Sequence, residues 1–141
     1  MIEITNDELI DSAAAVIHSR KVGNRRVGDV GCALITDQGN VYRGVCIDTG
    51  SGTGFCAEHS AIAAMVTAGE LNINKIVAVW KDASGVPLVL PPCGRCREFI
   101  RQISEDNLET DVVLAKDNVV KLKELLPYHE WPGRSVHCRW C

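Results

Sequence analysis

The sequence predicts an α/β fold, a mixed β-sheet with helices on its faces. Three observations carry that prediction: a capped amphipathic start, two β-rich runs joined by a glycine turn, and a later alternation of helical and strand patterns. At 141 residues, 46% hydrophobic and 23% charged, one core is enough, and folding should bury roughly 70% of the unfolded chain's surface. No internal repeat or linker interrupts the pattern, so residues 1–141 are expected to form a single domain with 128–141 as a C-terminal tail.

Thr5 followed by Glu8 reads as a capping box, and Leu9, Ala13, Val16 and Ile17 follow at helical spacing. This first helix is expected to run to about Lys21. Residues 31–36 and 40–47 read as strands joined at Asp37-Gln38-Gly39-Asn40, a hairpin by its turn chemistry. Residues 50–55 are a glycine-rich loop. Residues 56–68, rich in Ala, Ile and Met, read as a buried helix stopped by Gly69, and 75–80 as a strand. Pro91 and Pro92 then start a new element, because proline is tolerated at a helix start. A helix over 93–104, a strand over 111–115 and a short helix over 119–126 complete the pattern.

Composition excludes several classes. No apolar run approaches the ~20 residues that span a bilayer, and Met1-Ile2-Glu3-Ile4 lacks the basic start and apolar stretch of a signal peptide. A cytoplasmic location and no membrane partner are expected. Seven cysteines without an export signal point to metal binding and free thiols rather than disulfides. A net charge of −3 argues against nucleic acid as a partner and for a small molecule.

Two segments carry the chemistry. Cys56-Ala57-Glu58 follows the glycine-rich loop, and Pro92-Cys93-Gly94-Arg95-Cys96 opens the next helix. Together they supply three thiolates, Cys56, Cys93 and Cys96, and one carboxylate, Glu58, placed to work beside a metal rather than on it. Zn²⁺ takes four tetrahedral ligands, so a three-sulfur site leaves one position for water and lowers the pKa of that water to about 7. Both segments sit at helix starts, where the partial positive charge of the helix terminus stabilises a thiolate. Two bland readings stand beside this one. Cys93 and Cys96 alone would suit a redox pair, and Cys138 or Cys141 would close the fourth position of a non-catalytic, zinc-stabilised binding protein.

A first ligand two residues before a Glu, then Pro-Cys-x-x-Cys, is the pattern of zinc nucleobase deaminases. The chain resembles the small zinc-dependent cytidine deaminase family, including its blasticidin-S deaminase branch. The resemblance runs from Val30-Gly31-Cys32-Ala33-Leu34 through Val41-Tyr42-Arg43-Gly44, the Cys56 and Cys93 segments and Arg97 to Glu124-Leu125-Leu126-Pro127. It implies a three-layer α/β/α sandwich with about five strands in a mixed central sheet, one Zn²⁺ per chain and a homotetramer. It also implies a hydrolase in which Glu58 takes a proton from the attacking water and hands protons to N3 and the departing amine of a cytosine ring. Ala57 and the carbonyl of Pro91 would hold the ring's polar edge. His59 stands where relatives carry a charge-compensating Arg, and Arg95 would supply the missing charge.

On the sugar side the chain departs from nucleoside-specific members. Their ribose-gripping Asn and Glu correspond to Cys46 and Asp48, and the aromatic residue expected before the Val30 strand is Gly28. Blasticidin-S deaminases place an aromatic residue shortly after Leu-Leu-Pro; Tyr128 and Trp131 stand there in this chain. The expected substrate is therefore cytidine, deoxycytidine or a modified cytosine nucleoside, with a blasticidin-S type antibiotic as the alternative. Pyrimidine salvage or resistance would be the corresponding role.

Overall fold

The computed structural model describes residues 3–131 of the chain. Thr5 caps α1 (Asn6–Ala15) with a full capping box: its hydroxyl accepts from the Glu8 amide, and the Glu8 carboxylate accepts from the Thr5 amide. A small antiparallel hairpin follows, β1 (Arg20–Val22) and β2 (Arg25–Val27), turning through Gly23-Asn24. The main sheet contains β3 (Val30–Thr36), β4 (Val41–Val45), β5 (Ile73–Lys81), β6 (Pro87–Leu90), β7 (Asp111–Ala115) and β8 (Asn118–Lys121). Its helices are α2 (Ala57–Thr67), α3 (Gly94–Ile103) and the single turn α4 (Leu122–Leu125).

The strand order is β4-β3-β5-β7-β8, with β6 paired to the far end of β5. Only β5 and β7 run parallel, so the sheet is mixed. Alternation along β3 shows the layering. Cys32 and Leu34 face one core with Ala61, Ile62 and Met65 of α2 and Ile100 of α3, while Ala33 faces a second core with Leu9, Ile10 and Ala13 of α1. The result is the three-layer α/β/α sandwich expected, with six strands in the central sheet.

Three elements differ from the sequence reading. The first helix stops at Ala15 because the chain turns out of it into the β1–β2 hairpin, where the His18 amide donates to the Gly28 carbonyl. Gly23-Asn24 was the signal for that hairpin, a two-residue loop whose glycine has φ +61°. The β6 strand hid behind its prolines. Pro87 occupies the strand's first position, where a missing N–H costs little. Residues 119–121 extend as β8 instead of starting a helix, because Val119 and Val120 pair with Val113 and Val112 and only one turn of helix remains.

The sheet and helices approach closely where the site is built. A Cβ at Gly44 on β4 would lie 2.4 Å from both the Ala61 amide nitrogen and the Ser60 Cβ of α2. The glycine therefore lets α2 lie flat on the sheet, and Ser60 fastens it by donating from Oγ to the Val45 carbonyl at 2.7 Å. Gly44→Ala is expected to cost roughly 3 kcal/mol through overpacking, read as a fall in the thermal midpoint; a midpoint within 2 °C of wild type, on the order of 0.5 kcal/mol, would contradict it. At the other end, fully buried Asn107 accepts from the Ile73 amide and donates to the carbonyls of Leu71 and Ile100, tying α3 to β5.

Candidate active site

Cys56 is the N-cap of α2 and Cys93 the N-cap of α3, both in extended backbone, and neither side chain caps its own helix. Their sulfurs are free to face each other. Cys56 Sγ and Cys93 Sγ lie 3.6 Å apart, as do those of Cys93 and Cys96, and all three lie within 4.8 Å of one another. Three sulfurs on a tetrahedral zinc at about 2.3 Å stand roughly 3.8 Å from each other, so the set fits that ion. Arg97 holds the segment in place, with Nε donating to the Pro92 carbonyl at 2.8 Å and Nη1 to the Leu125 carbonyl at 3.3 Å.

The electrostatics also call for a cation. Burial pushes the Cys96 thiol far above its ordinary value, and Glu58, Cys56 and Cys93 push it further. Burial also raises Cys56. Burial would raise Cys93 too, but the amides of Cys96 and Arg95 and the neighbouring thiols outweigh it, so Cys93 is the sulfur that most readily carries charge. Three thiolates beside a carboxylate are stable together only with a positive ion among them.

Glu58, 6% exposed, is the second residue of α2. Burial lifts its carboxyl above the usual carboxylate range, opposed by its own backbone amide and the Cys96 thiol. His59 Nδ1 is 3.5 Å from Cys96 Sγ, and its ring stacks on Phe99 with centroids 4.2 Å apart. Burial, then Arg95, lowers its pKa, which favours a neutral ring beside the sulfur.

Two cavities meet at the thiols. One, of about 180 Å³, is lined by Val30, Cys46, Cys56, Ala57, Glu58, Ala78, Leu90, Pro91 and Cys93. Its mostly apolar walls, with the Glu58 carboxylate and three cysteines among them, suit a single polar ring. The other, of about 290 Å³, is lined by Cys46, Asp48, Phe55, Cys56 and residues of the glycine-rich loop. That loop is closed at its base, where Ile47 and Phe55 exchange backbone hydrogen bonds, and braced by a Thr49–Thr53 hydroxyl contact at 2.7 Å.

The structure thus gathers Cys46, Asp48, Cys56, Ala57, Glu58, Pro91 and Cys93 around connected cavities, with Cys96 and His59 behind them. Two expected participants make other contacts. Trp131 lies over the Arg101 guanidinium, 5.2 Å from the ring centroid, at the opposite end of α3. Arg95 Nη1 donates to the Gly54 carbonyl at 3.4 Å and makes no hydrogen bond to sulfur. Cys138 and Cys141, weighed as a fourth ligand, lie outside the described residues. Sequence reasoning missed Asp29, whose carboxylate accepts the Cys46 thiol at 3.1 Å, and Phe99, the floor under His59. Only Asp29 had a signal, its place in the chain just ahead of the Val30 strand.

The family described as the cytidine and deoxycytidylate deaminase zinc-binding region matches residues 5–110. Among solved structures, the chain is similar to cytidine deaminase from Mycobacterium leprae at 28% identity and TM-score 0.71, covering 89% of this chain and 99% of that one. Cytidine deaminase from Mycobacterium tuberculosis matches at 26% and 0.72, covering 89% and 97%. That of Burkholderia pseudomallei matches at 26% and 0.72, covering 89% and 98%. The redox-pair and binding-protein readings give way to this match, and zinc is the cofactor. The chain belongs to the cytidine and deoxycytidylate deaminase family and is a zinc-dependent aminohydrolase of the cytosine ring.

Proposed function

We propose that this enzyme removes the 4-amino group of a cytosine nucleoside, either cytidine, deoxycytidine or a modified analogue. The observation that carries the reading is the 180 Å³ cavity lined by Glu58 together with Cys56 and Cys93. Cys56, Cys93 and Cys96 would hold Zn²⁺, which supplies a Lewis acid that makes water a nucleophile at neutral pH. Val30, Ala78 and Leu90 clamp the faces of the ring. The Pro91 carbonyl and the backbone at Ala57 meet its polar edge. Glu58 takes a proton from the attacking water and passes it to N3 as the oxygen bonds to C4; it then takes the proton of the new C4 hydroxyl and hands it to the amine as the C4–N bond breaks, leaving a carbonyl at C4 and releasing ammonia. His59 and its Phe99 stack steady Cys96.

A modified nucleoside, such as a blasticidin-S type antibiotic, is favoured by one feature. The Cys46 thiol is turned to Asp29, which leaves Asp48 alone to meet a sugar hydroxyl. We take 1–141 as one catalytic domain acting as a cytoplasmic homotetramer. Exposed Trp80, Val86 and Leu88 beside one another support burial between copies, and no helix among the described residues is long and apolar enough to cross a membrane.

The test is ammonia release by zinc-loaded protein with cytidine, deoxycytidine, cytosine, 5-methylcytidine and blasticidin S. Turnover of at least one nucleoside well above free cytosine is expected. No ammonia from any of them, with zinc bound, would sink the reading.

A further inference from the structure

From Arg25 to Val30 the chain runs against one short stretch, Cys46 to Asp48, that lines the larger cavity. The Gly28 amide donates to the Cys46 carbonyl at 3.0 Å, and the Cys46 amide donates to the Val30 carbonyl at 3.0 Å. Arg25 Nη1 donates to the Asp48 carbonyl at 3.3 Å. All three use main-chain groups of the stretch, so they fix where it lies and leave its side chains unspecified. Asp29 acts on a side chain. Its Oδ1 accepts from the Cys46 thiol at 3.1 Å, while the Val30 amide donates to the same sulfur at 3.4 Å.

Those two contacts set the thiol at both ends. A cysteine side chain turns about one bond to place its sulfur and about a second to place its hydrogen, and it is both a weak donor and a weak acceptor. Val30 holds the sulfur and Asp29 holds the hydrogen. A carboxylate suits such a weak donor, because a charged acceptor roughly doubles the strength of the bond. The place of this thiol also matters. Cys46 and Cys56 are the residues that line both cavities, and Cys56 belongs to the metal, so Cys46 is left to meet a substrate where its base and sugar join.

We infer that Asp29, which lines neither cavity, is a positioning residue for the nucleoside: it draws the Cys46 hydrogen to itself, so the wall at the junction meets the substrate with a bare sulfur. The inference rests on the cytosine-nucleoside reading above. A bare sulfur packs against carbon and accepts only weakly, whereas a thiol released from Asp29 is free to turn its hydrogen into the cavity. A nucleoside spans the junction and feels that change. Free cytosine, which ends before the sugar cavity, feels it far less.

Two measurements decide it. In zinc-loaded protein, the S–H stretching band assigned to Cys46 by its loss in Cys46→Ala is expected to move to higher frequency in Asp29→Ala and to return part of the way in Asp29→Asn. Calorimetric titration in a Glu58→Gln background is expected to show Asp29→Ala weakening cytidine at least about fivefold and free cytosine less than about twofold, within the range for residues coupled by contact. Asp29→Asn, which keeps an acceptor oxygen, should recover part of the loss. In Cys46→Ala, where no thiol remains to be held, adding Asp29→Ala should change cytidine affinity less than about twofold. A residue that only supported the fold would lower the thermal midpoint, weaken both ligands alike and act the same with or without Cys46. That pattern, an unmoved S–H band, or no binding of cytidine would overturn the inference. Ammonia release by the wild type reports separately on the reaction. Turnover of cytidine together with normal cytidine binding by Asp29→Ala would reject the role of Asp29 and leave the deamination reading standing. The shifted band and the cytidine-specific loss, without ammonia from any nucleoside, would uphold Asp29 and reject deamination.

Discussion

Replacing Glu58 with Gln is expected to lower kcat for nucleoside deamination by about three orders of magnitude, within the range for a lost general acid–base, while zinc content and thermal midpoint stay unchanged. The substitution keeps the shape and an acceptor oxygen for the Glu58 amide. It removes only the ability to take up and release a proton. The site is arranged around that ability, since burial raises the carboxyl above its ordinary range and makes it a better base for the first transfer. It also faces the cavity beside Cys56 and Cys93, so the same oxygens reach both the water and the ring. Measuring metal content by elemental analysis next to steady-state ammonia release decides the matter. A loss smaller than about tenfold, or loss of zinc with the activity, would remove Glu58 from the proton path.

The parts of the site that were legible in the sequence are those whose geometry is local. Cys56 and Glu58 are separated by one residue at a helix start, and Cys93 and Cys96 by two. Once each segment opens a helix, spacing alone places sulfurs and carboxylate together. The sheet order was less legible because pairing is non-local. Nothing near Pro87 announces that 87–90 will find the end of β5, and Val119-Val120 reads as the start of a helix until Val112 and Val113 are there to receive it. The Gly23-Asn24 turn was a readable signal masked by the apolar spacing that precedes it. Arg95 shows a further limit. Its position inside the Cys-x-x-Cys turn suggested a partner for the thiolates, yet a long side chain at a helix start reaches outward as easily as inward, and here it meets the loop carbonyl of Gly54.

Cys96→Ser is expected to cost both metal and stability, because Cys96 is fully buried where the metal charge is most needed. Its thiol sits beside Cys93, Glu58 and the His59 ring. A hydroxyl there is a poor zinc ligand that stays protonated. Two sulfurs would then have to hold the ion. Zinc at a thousandfold above its dissociation constant stabilises a fold by about 4 kcal/mol, and a chain of this size shifts by roughly 3–4 °C per kcal/mol. The variant is therefore expected to melt at least about 10 °C below the zinc-loaded wild type. A chelator should bring the wild type down towards the variant and leave the variant nearly unmoved. That second comparison separates lost metal from lost packing, since a serine that merely packs badly would lower the midpoint while the chelator still destabilised the variant. A variant that keeps one zinc per chain and its full midpoint would mean that Cys96 is a core thiol and that the metal is held by another set of donors.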